Sequence, residues 1–139
     1  MASIFTKIID GELPGHFVWK DADTVAFLSI NPLERGHTLV VPRLEVDHWL
    51  DADGTLRNKL METAHAIGRA QERAFRPVKV GLLIIGLEVP HLHIHVVPFE
   101  NESDLDFSTA AKDVSGEELA GAAEEIRGAL RELGYTNAV

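Results

Sequence analysis

Residues Pro90 to Pro98 read PHLHIHVVP. Histidines stand at 91, 93 and 95, and Leu92, Ile94 and Val96 alternate with them. Alternation of period two marks an extended strand, whose side chains point to opposite faces in turn. A strand is therefore expected from His91 to Val97. Its apolar set faces the core, and its three imidazoles line a polar surface or cleft. Neighbouring imidazoles are expected roughly 6.6 Å apart, two strand rises.

The surrounding sequence supplies partners for this strand. Val78 to Ile85 is almost continuously apolar, the pattern of a strand buried on both faces, and Gly86 to Pro90 turns the chain back. His16 to Lys20 and Thr24 to Ile30 alternate as two strands about the turn Asp21-Ala22-Asp23. Asn31-Pro32 breaks the second, and His37 to Val41 forms a third that ends at Pro42. Ile4 to Leu13 reads as a short helix stopped by Gly11 or Pro14. Leu56, Leu60, Ala64, Ile67 and Phe75 form a stripe at helical spacing, which predicts a helix from about Thr55 to Phe75. Asn101 to Val114 is polar and irregular. Ser115 and Glu118 match a capping box, after which Leu119, Ala123, Ile126, Leu130 and Leu133 carry a helix to Gly134. Hairpins, a long helix and another hairpin predict an α+β fold, an antiparallel sheet with helices on one side. Residues 1–100 are expected to hold the core. Residues 101–139 add a loop and a C-terminal helix to the same single domain.

The composition narrows the function. The 139 residues are 45% hydrophobic and 25% charged, with a net charge of -9. That balance argues against nucleic acid and anionic membrane as partners, because both reward basic patches. A small anionic ligand needs only a local cluster of donors and stays open. The chain has no cysteine, so disulfides and thiolate metal sites are excluded. MASIFTKIIDGEL lacks a long apolar core, so no signal peptide is expected, and the location is expected to be cytoplasmic.

Three chemistries fit a row of imidazoles. The row can be a solvated strand face. It can contain a two-histidine metal site, completed by a ligand from elsewhere. All three rings cannot converge on one ion, because the outer two lie roughly 13 Å apart along a strand. The third chemistry is phosphoryl or nucleotidyl transfer, in which a neutral imidazole attacks phosphorus. A flanking imidazole, if protonated, then neutralises the phosphate and protonates the leaving group.

PHLHIHVVP fits the pattern H-x-H-x-H followed by apolar residues. SIFTKIIDGELPGHFVWKDADTVAFLSINPLERGHTLVVPR, from Ser3 to Arg43, agrees nearly residue for residue with the opening of the histidine triad (HIT) nucleotide-binding proteins. The resemblance spans about Ser3 to Pro98. It implies a two-layer α+β fold with a five-stranded antiparallel sheet, and a homodimer with a continuous sheet. It gives His93 the role of the nucleophile that becomes nucleotidylated. It has His91 orient that nucleophile, has His95 meet the phosphate and leaving group, and makes His37 of GHTLVVP a fourth histidine at the site. It implies a purine nucleotide ligand, of AMP or GMP type, with its base against Ile4, Phe5, Phe27 and Ile30. No cofactor is implied.

Three departures from the family pattern stand out. Ser29 occupies the place of an aspartate that holds the ribose hydroxyls, which implies weaker or different ribose binding. The loop before the triad is short, with Leu87 in place of a glutamine. Glu88 stands where a small phosphate-contacting residue can occur, and is expected to turn outward. Some bacterial members carry zinc on two cysteines and a histidine, whose positions here hold Ser3, Thr6 and Glu45, so no structural zinc is expected. The function implied is hydrolysis or transfer at the α-phosphate of a nucleoside 5'-phosphate derivative, a phosphoramidate or dinucleoside polyphosphate, through a nucleotidyl-histidine. The rival is a nucleotide-binding dimer with vestigial catalysis that acts through protein contacts.

Overall fold

The computed structural model describes residues 2–139. Helix α1, Ile4–Ile9, starts at Ser3, whose hydroxyl accepts the Thr6 amide. Strands β1 (Phe17–Lys20), β2 (Thr24–Leu28) and β3 (Thr38–Pro42) follow, and then helix α2, Gly54–Phe75. Asp53 caps α2 by accepting the Leu56 amide. Strands β4 (Lys79–Leu83) and β5 (Ile94–Phe99) precede helix α3, Gly116–Glu132. The five strands form one antiparallel sheet in the order β1-β2-β3-β5-β4.

Strand alternation sorts the apolar residues into two layers. Val18, Ala26, Leu28, Val40, Ile94 and Val96 face α2 and α3, which contribute Leu60, Ala64, Ile67, Leu119, Ala123, Ile126 and Leu130 to the main core. Each leucine or isoleucine buried there contributes about 1.5–3 kcal/mol. On the other face Val25, Phe27, Leu39 and Val41 pack with Phe5 of α1. Over these residues the sheet's second face is covered by one short helix, and the histidines lie beside it.

Several boundaries differ from the sequence expectation. The ladder of β5 begins at Ile94, opposite Val40, rather than at His91. Ahead of it the chain leaves β3, and the amides of His91 and Leu92 donate instead to the carbonyls of Val89 and Val46. The alternation nevertheless persists, since Leu92 still reaches the main core. β2 stops at Leu28, leaving Ser29 and Ile30 beyond its end. α1 stops at Ile9, and Gly11 takes a φ of 84° just after it. At α3 the Ser115 hydroxyl accepts the Glu118 amide, the serine half of the expected box.

The largest correction concerns the run Val78 to Ile85. It is not buried on both faces. β4 is an edge strand, and Val78, Leu82, Ile84 and Ile85 are all exposed. A strand's burial depends on its neighbours, and this one has a neighbour on β5 alone.

Candidate active site

His91, His93, His95 and His37 come together on the α1 face of the sheet. His91 and His93 are placed by the extended segment that leads into β5, and His95 by β5 itself. His37 sits immediately before β3, where Leu39 pairs with His95. None of the four is a solvated surface histidine, since all are buried. The rings of His93 and His95 stand 4.9 Å apart, closer than the strand repeat because they lean together edge to face.

Hydrogen bonds assign the tautomer of each ring. His93 Nδ1 lies 2.7 Å from the His91 carbonyl oxygen. A carbonyl only accepts, so Nδ1 carries the proton and Nε2 keeps its lone pair. The Leu33 amide donates to His37 Nδ1 at 3.0 Å, so His37 carries its proton on Nε2. That proton points to His95 Nδ1, 2.9 Å away. His95 is thereby left with its own proton on Nε2. His91 Nε2 donates to the Pro42 carbonyl at 2.8 Å, and its Nδ1 accepts the Ser3 hydroxyl at 2.6 Å. The result is one ring with a free lone pair, His93, beside one with a free N–H donor, His95.

Burial disfavours the charged form of three of these rings, His37, His93 and His95. It pushes His37 down to about 3, with His95 and His93 adding repulsion. It pushes His95 down to about 4, helped by His93. His93 is lowered too, chiefly by burial and against its bond to the His91 carbonyl, which raises it. Near neutral pH His95 therefore offers a directed N–H rather than a positive charge. The ring sits in a desolvated row where a second proton has no counter-ion.

The apolar residues divide in two. Phe5 and Phe27 are buried with ring centroids 5.4 Å apart, and Phe5 meets the His93 ring at 4.9 Å. Ile4 and Ile30 are exposed, the latter at 68%. Ser29 is half-buried. Its amide donates to the His37 carbonyl, and its hydroxyl accepts the Asn31 amide at 3.3 Å. Glu88 is exposed, yet close enough to His93 to favour its protonation slightly.

The sequence reading missed one neighbour of the histidines, and it read a second group only as the positions of a zinc site, without its link to His91. The loop after β5, read as featureless, folds into the short 3-10 turns Glu102–Leu105 and Phe107–Thr109. It is tied back through the Ala111 amide to the Pro32 carbonyl, and it sets Phe107 edge-on against His95 at 5.0 Å. A lone phenylalanine in a polar stretch gives no sequence signal. The second group is Ser3, Thr6 and Glu45, which gather at His91. Together they offer one imidazole, one carboxylate and two hydroxyls, and both imidazole nitrogens are already engaged. This donor set does not fit a zinc centre, and no group of three or more His, Cys, Asp or Glu among the described residues could hold a metal ion.

A family model described as HIT domain matches residues 10–102. An uncharacterized HIT-like protein of Borreliella burgdorferi is 37% identical over 107 residues, covering 71% of this chain and 77% of that one. The adenosine 5'-monophosphoramidase hnt1 of Schizosaccharomyces pombe is 27% identical over 137 residues, covering 94% of this chain and 100% of its own. Among solved structures, a zinc-bound histidine triad family protein from Mycobacterium smegmatis superposes with a TM-score of 0.83 at 26% identity, covering 96% of each chain.

Proposed function

The chain belongs to the HIT family, and on that premise we propose that it cleaves nucleoside 5'-phosphate derivatives at the α-phosphorus through a covalent nucleotidyl-histidine. The observation that carries this reading is the tautomer pair, a bare Nε2 on His93 beside an Nε2–H on His95. Nucleophilic attack needs the lone pair, and stabilisation of the departing group needs the donor. That a fission-yeast relative is an adenosine 5'-monophosphoramidase supports the phosphoramidate class.

In the proposed step, His93 Nε2 forms a bond to phosphorus as the bond from phosphorus to the leaving group breaks. The positive charge that develops on the ring is held by the bond from Nδ1–H to the His91 carbonyl. His95 Nε2–H donates to the phosphate and to the atom that departs with the electron pair. An anhydride leaves as its anion. A phosphoramidate leaves as the neutral amine once its nitrogen has taken a proton from solvent. Water then attacks the nucleotidyl-histidine, the P–N bond breaks, its electron pair returns to Nε2, and the water's proton goes to bulk.

In the same reading a purine base lies against Phe5 and Phe27 and along the exposed Ile4 and Ile30, Ser29 faces the ribose, and Glu88 stays at the rim. The α3 segment is part of one unit with the first hundred residues, a reading supported by the packing of Leu119, Ala123 and Ile126 into the common core. The exposed apolar edge of β4 supports a homodimer in which two sheets join.

The test is intact mass after mixing with adenosine 5'-phosphoramidate and quenching without acid. An adenylyl adduct is expected on the wild type and absent from His93→Ala. Turnover by that variant should fall by several orders of magnitude, since only binding and electrostatics remain. More than about a tenth of wild-type turnover, a barrier difference of only about 1.4 kcal/mol, would rule out covalent catalysis at His93. Turnover is expected to survive EDTA.

A further inference from the structure

A buried nucleophile is useful only if its ring is held in one orientation, and the residues holding His93 reach well beyond the triad. Working outward, His93 Nδ1 is held by the His91 carbonyl. His91 is fully buried and fixed at both ring nitrogens, by the Pro42 carbonyl and the Ser3 hydroxyl. Because Nε2 must donate to the carbonyl, Nδ1 must accept, and the 2.6 Å contact requires Ser3 to donate. Ser3 is itself fixed. Its hydroxyl accepts the Thr6 amide at 3.0 Å, and its own amide donates to Glu45 Oε1 at 2.6 Å. The same Oε1 accepts the Thr6 hydroxyl at 2.7 Å. One carboxylate oxygen, on the segment following β3, thus clamps both ends of the first turn of α1.

α1 has only six residues, too few to be a stable helix unaided. It also carries Phe5, which packs against the His91 and His93 rings at 5.9 and 4.9 Å. Whatever pins α1 therefore pins the nucleophile twice, through Ser3 to His91 and through Phe5 to the ring face. The clamp binds the ionised form of Glu45 strongly: its carboxyl is held down to about 2, first by the Ser3 amide and then by the Thr6 hydroxyl.

We propose that Glu45 is a positioning residue, which by clamping Ser3 and Thr6 fixes the orientation of His91, whose tautomer the Pro42 carbonyl sets, and, through the His91 carbonyl, the orientation and tautomer of the nucleophile His93. This rests on the transfer reading above for its rate consequence, but not for its structural content. Hydrogen bonds to a single carboxylate do the orienting.

The experiment compares wild type with Glu45→Ala, Glu45→Gln and Ser3→Ala in two measurements. One is nitrogen-15 NMR of the imidazoles, which distinguishes protonated from bare ring nitrogens. The other is the rate of adenylyl adduct formation from adenosine 5'-phosphoramidate. Wild type should show His91 protonated at Nε2 alone and His93 at Nδ1 alone. Glu45→Ala should leave His91 protonated at Nε2, where the Pro42 carbonyl still holds it, mix the tautomers at His93, and slow adduct formation about ten- to a hundredfold, as a displaced reacting group does. Glu45→Gln should restore both, because an amide oxygen accepts the same two bonds. Ser3→Ala keeps the backbone donor to Glu45 and the Thr6 hydroxyl bond to it, and removes the link to His91 together with the cap on the Thr6 amide. It should reproduce the tautomer mixing at His93, and an unchanged urea midpoint for the whole chain separates positioning from a failure to fold. Unchanged tautomers and rates in Glu45→Ala and Ser3→Ala overturn the proposal. Mixing in Glu45→Ala but not in Ser3→Ala also overturns it, because the link then bypasses Ser3. If wild type forms no adduct, the transfer reading falls and the NMR comparison decides the clamp alone.

Discussion

His93 and His95 are the same residue type two positions apart, and what distinguishes them is the partner at Nδ1. A carbonyl there leaves His93 with a lone pair at Nε2, and an imidazole N–H there leaves His95 with a proton. HLHIH alone does not encode that difference, since one partner is the backbone carbonyl of His91 and the other is His37, which lies just before β3. Ser29 is a second case. Its hydroxyl makes only a local 3.3 Å bond with the Asn31 amide, so it stays available as a donor. Hydrogen bonds to a charged acceptor contribute about 1.5–3 kcal/mol each, against about 1 kcal/mol for a neutral one. Ser29→Asp is therefore expected to tighten AMP binding relative to dAMP, and wild type to discriminate weakly between them. Calorimetry with both nucleotides checks this. A hundredfold AMP preference in wild type, or an unchanged ratio in Ser29→Asp, defeats the ribose assignment.

At the scale of elements, the approach to β3 is the tightest point. Gly36 has a φ of 91°, and a Cβ there would fall 2.3 Å from the Phe75 ring at the end of α2. Its carbonyl also accepts from Gln71 Nε2 of α2, which at the same time bonds the Val96 carbonyl of β5. Gly36 thus seats the long helix directly behind His37 and His95. Gly36→Ala meets both a left-handed backbone penalty and a ring collision, costs of roughly 1–3 kcal/mol each. Urea unfolding should show at least the lower figure, and a change below about 0.5 kcal/mol, within the range of ordinary surface substitutions, refutes the account. The same scale explains the misread strand ends. Periodicity in the sequence records which face a residue occupies, and Leu92 and His93 keep their faces although the ladder begins only at Ile94.

For the whole molecule, pH and association are the readable properties. His37 and His95 fall from 6.5 to about 3 and about 4 on folding. Below pH 6.5 the unfolded chain binds protons that the folded chain refuses, so stability is fully present above that pH and is lost as pH falls toward 4 and then 3. Each ring contributes a slope of up to about 1.4 kcal/mol per pH unit. Glu45 adds a further loss between 4.5 and about 2. Urea midpoints should drop from pH 7 to pH 5, and less steeply in His37→Asn. Equal midpoints at the two pH values would contradict a buried neutral pair. Association is predicted at β4: a light-scattering mass of two chains should fall to one in Leu82→Lys, and a monomeric wild type would leave that apolar edge without its proposed partner.

Alternation, helical stripes and turn residues were sufficient to place five strands and three helices, and the triad could be read because its chemistry lies in one contiguous run. These are local properties, fixed by the period of the backbone and the spacing of side chains along it. Sequence position alone left open which strand lies at the edge, and so Val78 to Ile85 looked internal. It also left open that Phe107 returns to His95 across a polar loop, and that Ser3, Thr6 and Glu45 meet at His91. Ser3 and His91 are 88 positions apart, and Ser3 and Glu45 are 42 apart. Burial, tautomer and pKa depend on what surrounds a side chain in space, and here those surroundings exist only once α1, β3 and β5 have packed together.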